Sequence, residues 1–302
     1  MTEIVLATSG LCKAYGRRQA VRNLDLEVQR GEVFGFLGPN GAGKTTTIRM
    51  ALGLVRPSGG RVDILGREVR SGNGPTLPRV GALIESPALY GYLTGRDNLR
   101  AFASVLGGVS KARLDEVLEL VDLRGRQKDR VSSYSLGMKQ RLGVATALLN
   151  DPDLLILDEP ANGLDPAGMV EMRDLLRRLA GGGKTVFISS HVLTEVQQMC
   201  DRVAIVHLGE LVRLARVADL LAAGGEFDVK IQDPAAALAL IRRQEWGGSA
   251  RIEGGMLVCP SPSGHGRELL QFLARAGCWP DVVAPRRQNL EDIFLRLTGA
   301  AT

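Results

Sequence analysis

Residues 33–47 read VFGFLGPNGAGKTTT: a short apolar run, a glycine-rich octapeptide and a lysine followed by threonines. A continuous run such as Val33 to Leu37 is the pattern of a strand buried on both faces, and Thr46 to Leu54 reads as a helix. The octapeptide between them, GPNGAGKT at 38–45, fits the spacing GxxxxGK[ST]. Strand, loop and helix in this order restrict the chain to α/β folds in which a glycine-rich loop meets a helix N-terminus at the carboxyl edge of a sheet. Small or turn-forming residues at Gly38, Pro39, Asn40, Gly41, Ala42 and Gly43 let successive backbone N–H groups close round the phosphates of a nucleotide. The helix dipole adds to that attraction. Lys44 supplies a point charge for the phosphates, the Thr45 hydroxyl is placed to ligate Mg²⁺, and Thr46 completes the nucleotide-binding segment.

Four further strand-like segments, Ile4 to Leu6, Leu154 to Leu157, Thr185 to Ser189 and Val203 to His207, surround the same core. The third of these segments in chain order, counting Val33 to Leu37, ends in Asp158 and Glu159. A carboxylate at a strand end beside a phosphate loop suits Mg²⁺, which assigns Asp158 to the metal. Glu159 is then the base or water-orienting group for hydrolysis. His191 follows the strand Val186 to Ser190, at the edge where ligands collect, and its spacing from Asp165 makes it a γ-phosphate sensor.

Between Glu85 and Ser135 the period becomes helical, with Leu114, Val117, Leu118 and Val121 on one face. A composition break at Ala222, Ala223, Gly224 and Gly225 reads as a linker. The tail that follows reads strand, helix, strand, strand, helix, strand, the βαββαβ order of a ferredoxin-like unit. A closing helix then carries Leu290, Ile293, Phe294 and Leu297 on one face.

Composition excludes several classes. At 302 residues the chain has room for about two domains. It has no uninterrupted apolar stretch of the roughly 18–20 residues needed to span a bilayer, and no secretory signal. Four scattered cysteines, Cys12, Cys200, Cys259 and Cys278, form no CxxC pair and suit a reducing cytosol. The net charge is +5 and 31 of the 38 basic residues are Arg. Their scatter, with no dense basic block, argues against a nucleic-acid partner.

Taken together, GPNGAGKT, YSLGMKQR (134–141), LLILDEP (154–160), GLD (163–165) and SSH (189–191) resemble the ATP-binding-cassette family over residues 4–215. The resemblance implies an α/β RecA-like P-loop ATPase core with an antiparallel β subdomain and an inserted helical subdomain at about 86–150. With the tail, the domains are then 1–222, the nucleotide-binding domain, and 226–302, an accessory α+β domain of ferredoxin-like type. It also implies ATP and Mg²⁺ as ligands, and a head-to-tail dimer with a second copy or a homologous cassette. In that dimer Ser135 and Gly137 face the partner's γ-phosphate and Asp165 communicates across the interface. Tyr15 matches the aromatic that stacks on adenine. Glu85, where most cassettes have Gln, approaches the metal or its water. Together with the YSLGMKQR signature and the terminal QNLEDIFLRLTG, Glu85 resembles cassettes of bacitracin- and lantibiotic-type peptide-antibiotic exporters. The implied assembly is a peripheral ATPase at the cytoplasmic face of the membrane, docked on a separate polytopic permease. The transported substrate stays open between a peptide antibiotic and another drug, lipid or polysaccharide, and the rival from another class is a non-transport cassette ATPase acting on ribosome or DNA. Tyr90, Tyr92 and Leu93 are read either as part of the permease-docking groove or as core. The C-terminal unit is read as a ligand sensor, a dimer clamp or a stabilising appendage.

Overall fold

The computed structural model describes residues 3–70, 79–222, 225–286 and 289–298. The chain divides into two compact units, Met1–Val217 with Phe294–Thr302, and Ala218–Ile293.

The first unit is built on a six-stranded sheet of β3 (Val33–Leu37), β6 (Val80–Leu83), β7 (Leu154–Asp158), β8 (Thr185–Ser190), β9 (Arg202–His207) and β10 (Glu210–Arg216), in the order β10-β9-β3-β8-β7-β6. Five strands run parallel and β10 closes one edge antiparallel to β9. Every residue of β3, β7 and β8 is buried, which is why each reads as an unbroken apolar run. Helices α1 (Lys44–Ala51), α5 (Pro166–Gly181) and α6 (Leu193–Met199) flank this sheet. The parallel strands leave Gly38, Glu159 and His191 at one carboxyl edge. Register brings Leu37 opposite Ser190 and Asp158 opposite Ser189, so the ends of β3, β8 and β7 lie side by side.

A second, antiparallel sheet has the order β2-β1-β4-β5, from β1 (Ile4–Tyr15), β2 (Arg18–Gln29), β4 (Gly59–Ile64) and β5 (Arg67–Glu68). Its first strand runs twelve residues rather than the expected three, and β2 and β4 had no counterpart among the expected strands. The reason is alternation. In β2, Val21, Leu24, Leu26 and Val28 are buried while polar residues between them face out, so no continuous apolar run forms.

The helical segment contains α2 (Gly95–Val105), α3 (Lys111–Leu120) and α4 (Leu136–Leu148). Each starts at a hydroxyl cap: Thr94, Ser110 and Ser135 accept from the N–H groups of Asp97, Arg113 and Met138. The expected face of Leu114, Val117, Leu118 and Val121 is buried, where α3 packs against α2 and α4. Tyr90 and Tyr92 are exposed and stack obliquely with ring centroids 5.9 Å apart, while Leu93 is half-buried. Of the three, the two tyrosines are surface and not core.

After α7 (Val217–Ala222), the second unit runs β11 (Glu226–Ile231), α8 (Pro234–Ile241), β12 (Arg251–Glu253), β13 (Met256–Pro260), α9 (Gly266–Arg275) and β14 (Pro280–Pro285). Its sheet is antiparallel throughout with the order β12-β13-β11-β14, the ferredoxin-like arrangement. Phe227, Val229, Leu257 and Cys259 from the sheet pack on Ala237, Ile241, Leu269 and Leu273 from α8 and α9. Asp233 caps α8 through the N–H groups of Ala235 and Ala236. In α10 (Leu290–Thr298), Leu290 and Ile293 are buried, whereas Leu297, on the same helix face, is 40% exposed. Ala223 and Gly224 of the expected linker, and Gln288 and Gly299 of the terminal motif, lie outside the described residues.

Candidate functional site

A cavity of about 710 Å³ opens at the carboxyl edge of the parallel sheet. Asn40, Gly41, Gly43, Lys44, Thr45 and Thr46 form its floor. The loop takes this path because two glycines permit it: Gly41 and Gly43 have φ of 83° and 99°, a left-handed region that other residues seldom adopt. A methyl group on Gly43 would sit 2.4 Å from the Ala20 carbonyl oxygen, and one on Gly38 2.5 Å from that of Val206. Gly38, Pro39 and Ala42 belong to the same turn without lining the cavity.

Lys44 is buried, at 6% exposure, and its ammonium has two partners in the loop and one beyond it. Nζ donates to the Gly38 carbonyl at 2.7 Å and to that of Pro39 at 3.4 Å, and lies 3.2 Å from Glu159 Oε1. Beside it, Thr45 Oγ1 donates to Asp158 Oδ2 at 2.9 Å. The other Asp158 oxygen accepts from the Ser189 hydroxyl, which also accepts from the Glu159 N–H at 3.0 Å. Glu159 has a positive φ of 52°, at the sharp turn that leaves β7. Its second oxygen, Oε2, is 2.8 Å from His191 Nδ1. Lys44, Thr45, Asp158, Glu159 and His191 thus form one connected polar cluster, although His191 itself is exposed and outside the cavity lining. Glu195, on the next helical turn, has its carboxyl raised above the ordinary range by burial and then by the Glu159 charge.

Tyr15 and Glu85 complete two walls. Tyr15 is half-exposed at the end of β1, with Lys13 Nζ 5.0 Å from its ring centre. Glu85 lies just beyond β6 with φ of 58°, and its Oε1 accepts from Arg49 Nη2 at 2.7 Å. Ser135, Gly137 and Asp165 do not line this cavity. The Ser135 and Asp165 oxygens cap α4 and α5, accepting from Met138 N–H at 3.2 Å and Gly168 N–H at 3.1 Å. Both residues are exposed.

Six lining residues were not among the expected site residues: Arg18, Ala20, Ser86, Leu136, Gln140 and Asn162. Three sit inside motifs already recognised, Leu136 and Gln140 in YSLGMKQR and Asn162 next to GLD, so proximity to those motifs was the available signal. Gln140 is 5% exposed and its Oε1 is a buried acceptor without a protein donor among the described residues. Arg18 reaches the loop only through the hairpin of β1 and β2, with a guanidinium nitrogen 3.5 Å from where a methyl on Gly41 would lie.

The family model described as ABC transporter matches residues 21–162. The bacitracin transport ATP-binding protein BcrA of Bacillus licheniformis is 39% identical over 301 residues, covering 99% of this chain and 98% of the relative. The chain belongs to the ABC transporter family. As an ABC ATP-binding protein it is an ATP-hydrolysing enzyme with the RecA-like P-loop fold. It is also similar to the daunorubicin resistance ATP-binding protein DrrA3 of Streptomyces coeruleorubidus, at 37% identity over 311 residues, with 99% and 97% of the two chains covered. Among solved structures, cbiO1 from Clostridium perfringens, part of the ABC transporter complex cbiONQ, superposes with a TM-score of 0.67 at 26% identity. That match covers 73% of this ABC chain and 91% of cbiO1.

Proposed function

We propose that this chain hydrolyses ATP to drive export of a peptide antibiotic, or a related drug, through a separate membrane permease. The observation that carries the substrate class is end-to-end similarity to a bacitracin transport ATP-binding protein, C-terminal unit included. Among the described residues no helix is long and apolar enough to cross a membrane; in this reading the permease is another chain, and this one is peripheral at the cytoplasmic face. The functional division is 1–222 for nucleotide binding, with the helical subdomain at about 86–150, and 226–302 for the accessory domain.

The cavity supports specific roles. Loop N–H groups between Asn40 and Thr46 cradle the phosphates, and Tyr15 stacks on the base, worth about 1–3 kcal/mol. Lys44 exchanges its contact with Glu159 for phosphate oxygens. Thr45 and Asp158 place two hard oxygens 2.9 Å apart, and Ser189 orients the carboxylate, a donor set suited to Mg²⁺ shared with phosphates and water. Bound there, the cation would offset phosphate charge, and Glu85 could reach its water shell. Glu159, released by Lys44, accepts a proton from the attacking water as that oxygen bonds to the γ-phosphorus and the ADP oxygen leaves. His191 donates to Glu159 and senses the γ-phosphate. Ser135 and Asp165, exposed, and Gly137, half-buried, all lie outside their own cavity and are available to a partner's nucleotide, which supports a head-to-tail dimer with a second cassette.

The test is tolerance of the organism that carries the chain. Deletion should lower the growth-inhibiting concentration of peptide antibiotics, wild-type chain should restore it, and Glu159→Gln should not. Unchanged tolerance to peptide antibiotics, with altered tolerance to an unrelated drug, would move the substrate class.

A further inference from the structure

Three carboxylates, Glu85, Asp158 and Glu159, line the cavity that receives a triphosphate. Two have partners at the strand ends and the phosphate loop: Glu159 pairs with the Lys44 ammonium and contacts His191, and Asp158 accepts from the neutral Thr45 and Ser189 hydroxyls. Glu85 is balanced from outside the cavity. Its partner Arg49 does not line the cavity, yet belongs to α1, the helix that begins at Lys44. One short helix therefore carries both the cation for the phosphates, Lys44, and the cation paired with the Glu85 carboxylate, Arg49. Glu85 holds this pair from a left-handed backbone, at φ 58°, that ordinary side chains seldom adopt.

We propose that Arg49 is a positioning residue that holds the Glu85 carboxylate against α1 and cancels its repulsion of incoming phosphates. A nucleotide-bound cation then competes for Glu85. The inference rests on the ATPase reading and adds to it a reason why an acid is tolerated at this position. Without Arg49, an uncompensated charge faces the triphosphate when no cation is present. At separations of several ångströms and near-aqueous screening this repulsion amounts to about a threefold to tenfold loss of affinity.

The test is a double-mutant cycle of Arg49→Gln and Glu85→Gln in the full chain, read as the Kd for ATP by calorimetry, in chelator and in excess Mg²⁺. Arg49→Gln should weaken binding about threefold to tenfold in chelator. In excess Mg²⁺ the loss should fall below about twofold, since the freed Glu85 then meets a cation. In the Glu85→Gln background it should have no effect in either condition. Arg49→Lys, which keeps the charge, should restore chelator affinity and controls for folding. Equal weakening in both backgrounds would mean that Arg49 acts on the phosphates directly, and no weakening would mean that the pair is incidental; either overturns the proposal. Failure of the wild-type chain to bind ATP would remove the ATPase reading as well, and is told apart by that measurement alone.

Discussion

Replacing Glu159 by Gln should separate nucleotide affinity from turnover. In the structure its carboxylate lies 3.2 Å from the Lys44 ammonium and 2.8 Å from His191 Nδ1, at the end of a buried strand. Gln keeps the shape and one acceptor but loses the charge and the ability to take a proton. If Glu159 is the general base, kcat should fall by about 10² to 10⁴. Affinity should move the other way. A carboxylate about 5 Å from a γ-phosphate, at effective dielectric constants between those of the protein surface and water, opposes binding by about 1–3 kcal/mol. Its removal should tighten ATP binding about fivefold to a hundredfold, and should accumulate an ATP-bound dimer on size exclusion. Phosphate release and equilibrium binding, measured on the same preparations, give both numbers. Lys44→Ala provides the opposite control, with binding lost. A Glu159→Gln protein that hydrolyses ATP within about tenfold of wild type would refute the assignment of the base.

Gly43→Ala should cost about 1–3 kcal/mol in strain alone, since φ is 99° and the added methyl meets the Ala20 carbonyl at 2.4 Å. Thermal unfolding of the first unit should drop by several degrees, and ATP affinity should fall with the altered loop. A variant that unfolds and binds as wild type would contradict the loop geometry. Cys200 and Cys259 are buried, and burial pushes both thiols up, Cys259 to about 12. At pH 8 their thiolates are scarce and shielded, so a maleimide should label native protein at Cys12 and Cys278 only, and at all four cysteines in denaturant. Mass spectrometry of the labelled peptides checks this, and native labelling of Cys200 would contradict the packing of α6 on β3.

The parts of the fold legible in the sequence were those where burial is total. Strands β3, β7 and β8 have both faces covered, so each residue must be apolar or small and the run announces itself. In contrast, β1 and β2 have one solvated face, and their alternation was hidden behind Lys13, Arg18 and Glu27. The loop, Asp158, Glu159 and His191 were legible because their spacing within motifs is set by strand ends and a helix start. Arg18, Arg49 and the closing of Gln140 and Leu136 over the cavity were not, since each depends on how separate segments meet. The ferredoxin-like order of the second unit was readable from its alternation of strand and helix, and along the apolar face of α10 burial fades from Leu290 to the exposed Leu297.

The most direct test of the central claim is to tag this chain in the cells that carry it, solubilise membranes gently and identify what copurifies. The account predicts a polytopic membrane protein without an ATPase domain of its own, retained with ATP and enriched with Glu159→Gln. Ribosomal proteins or DNA-repair factors in its place, with no membrane partner, would contradict it.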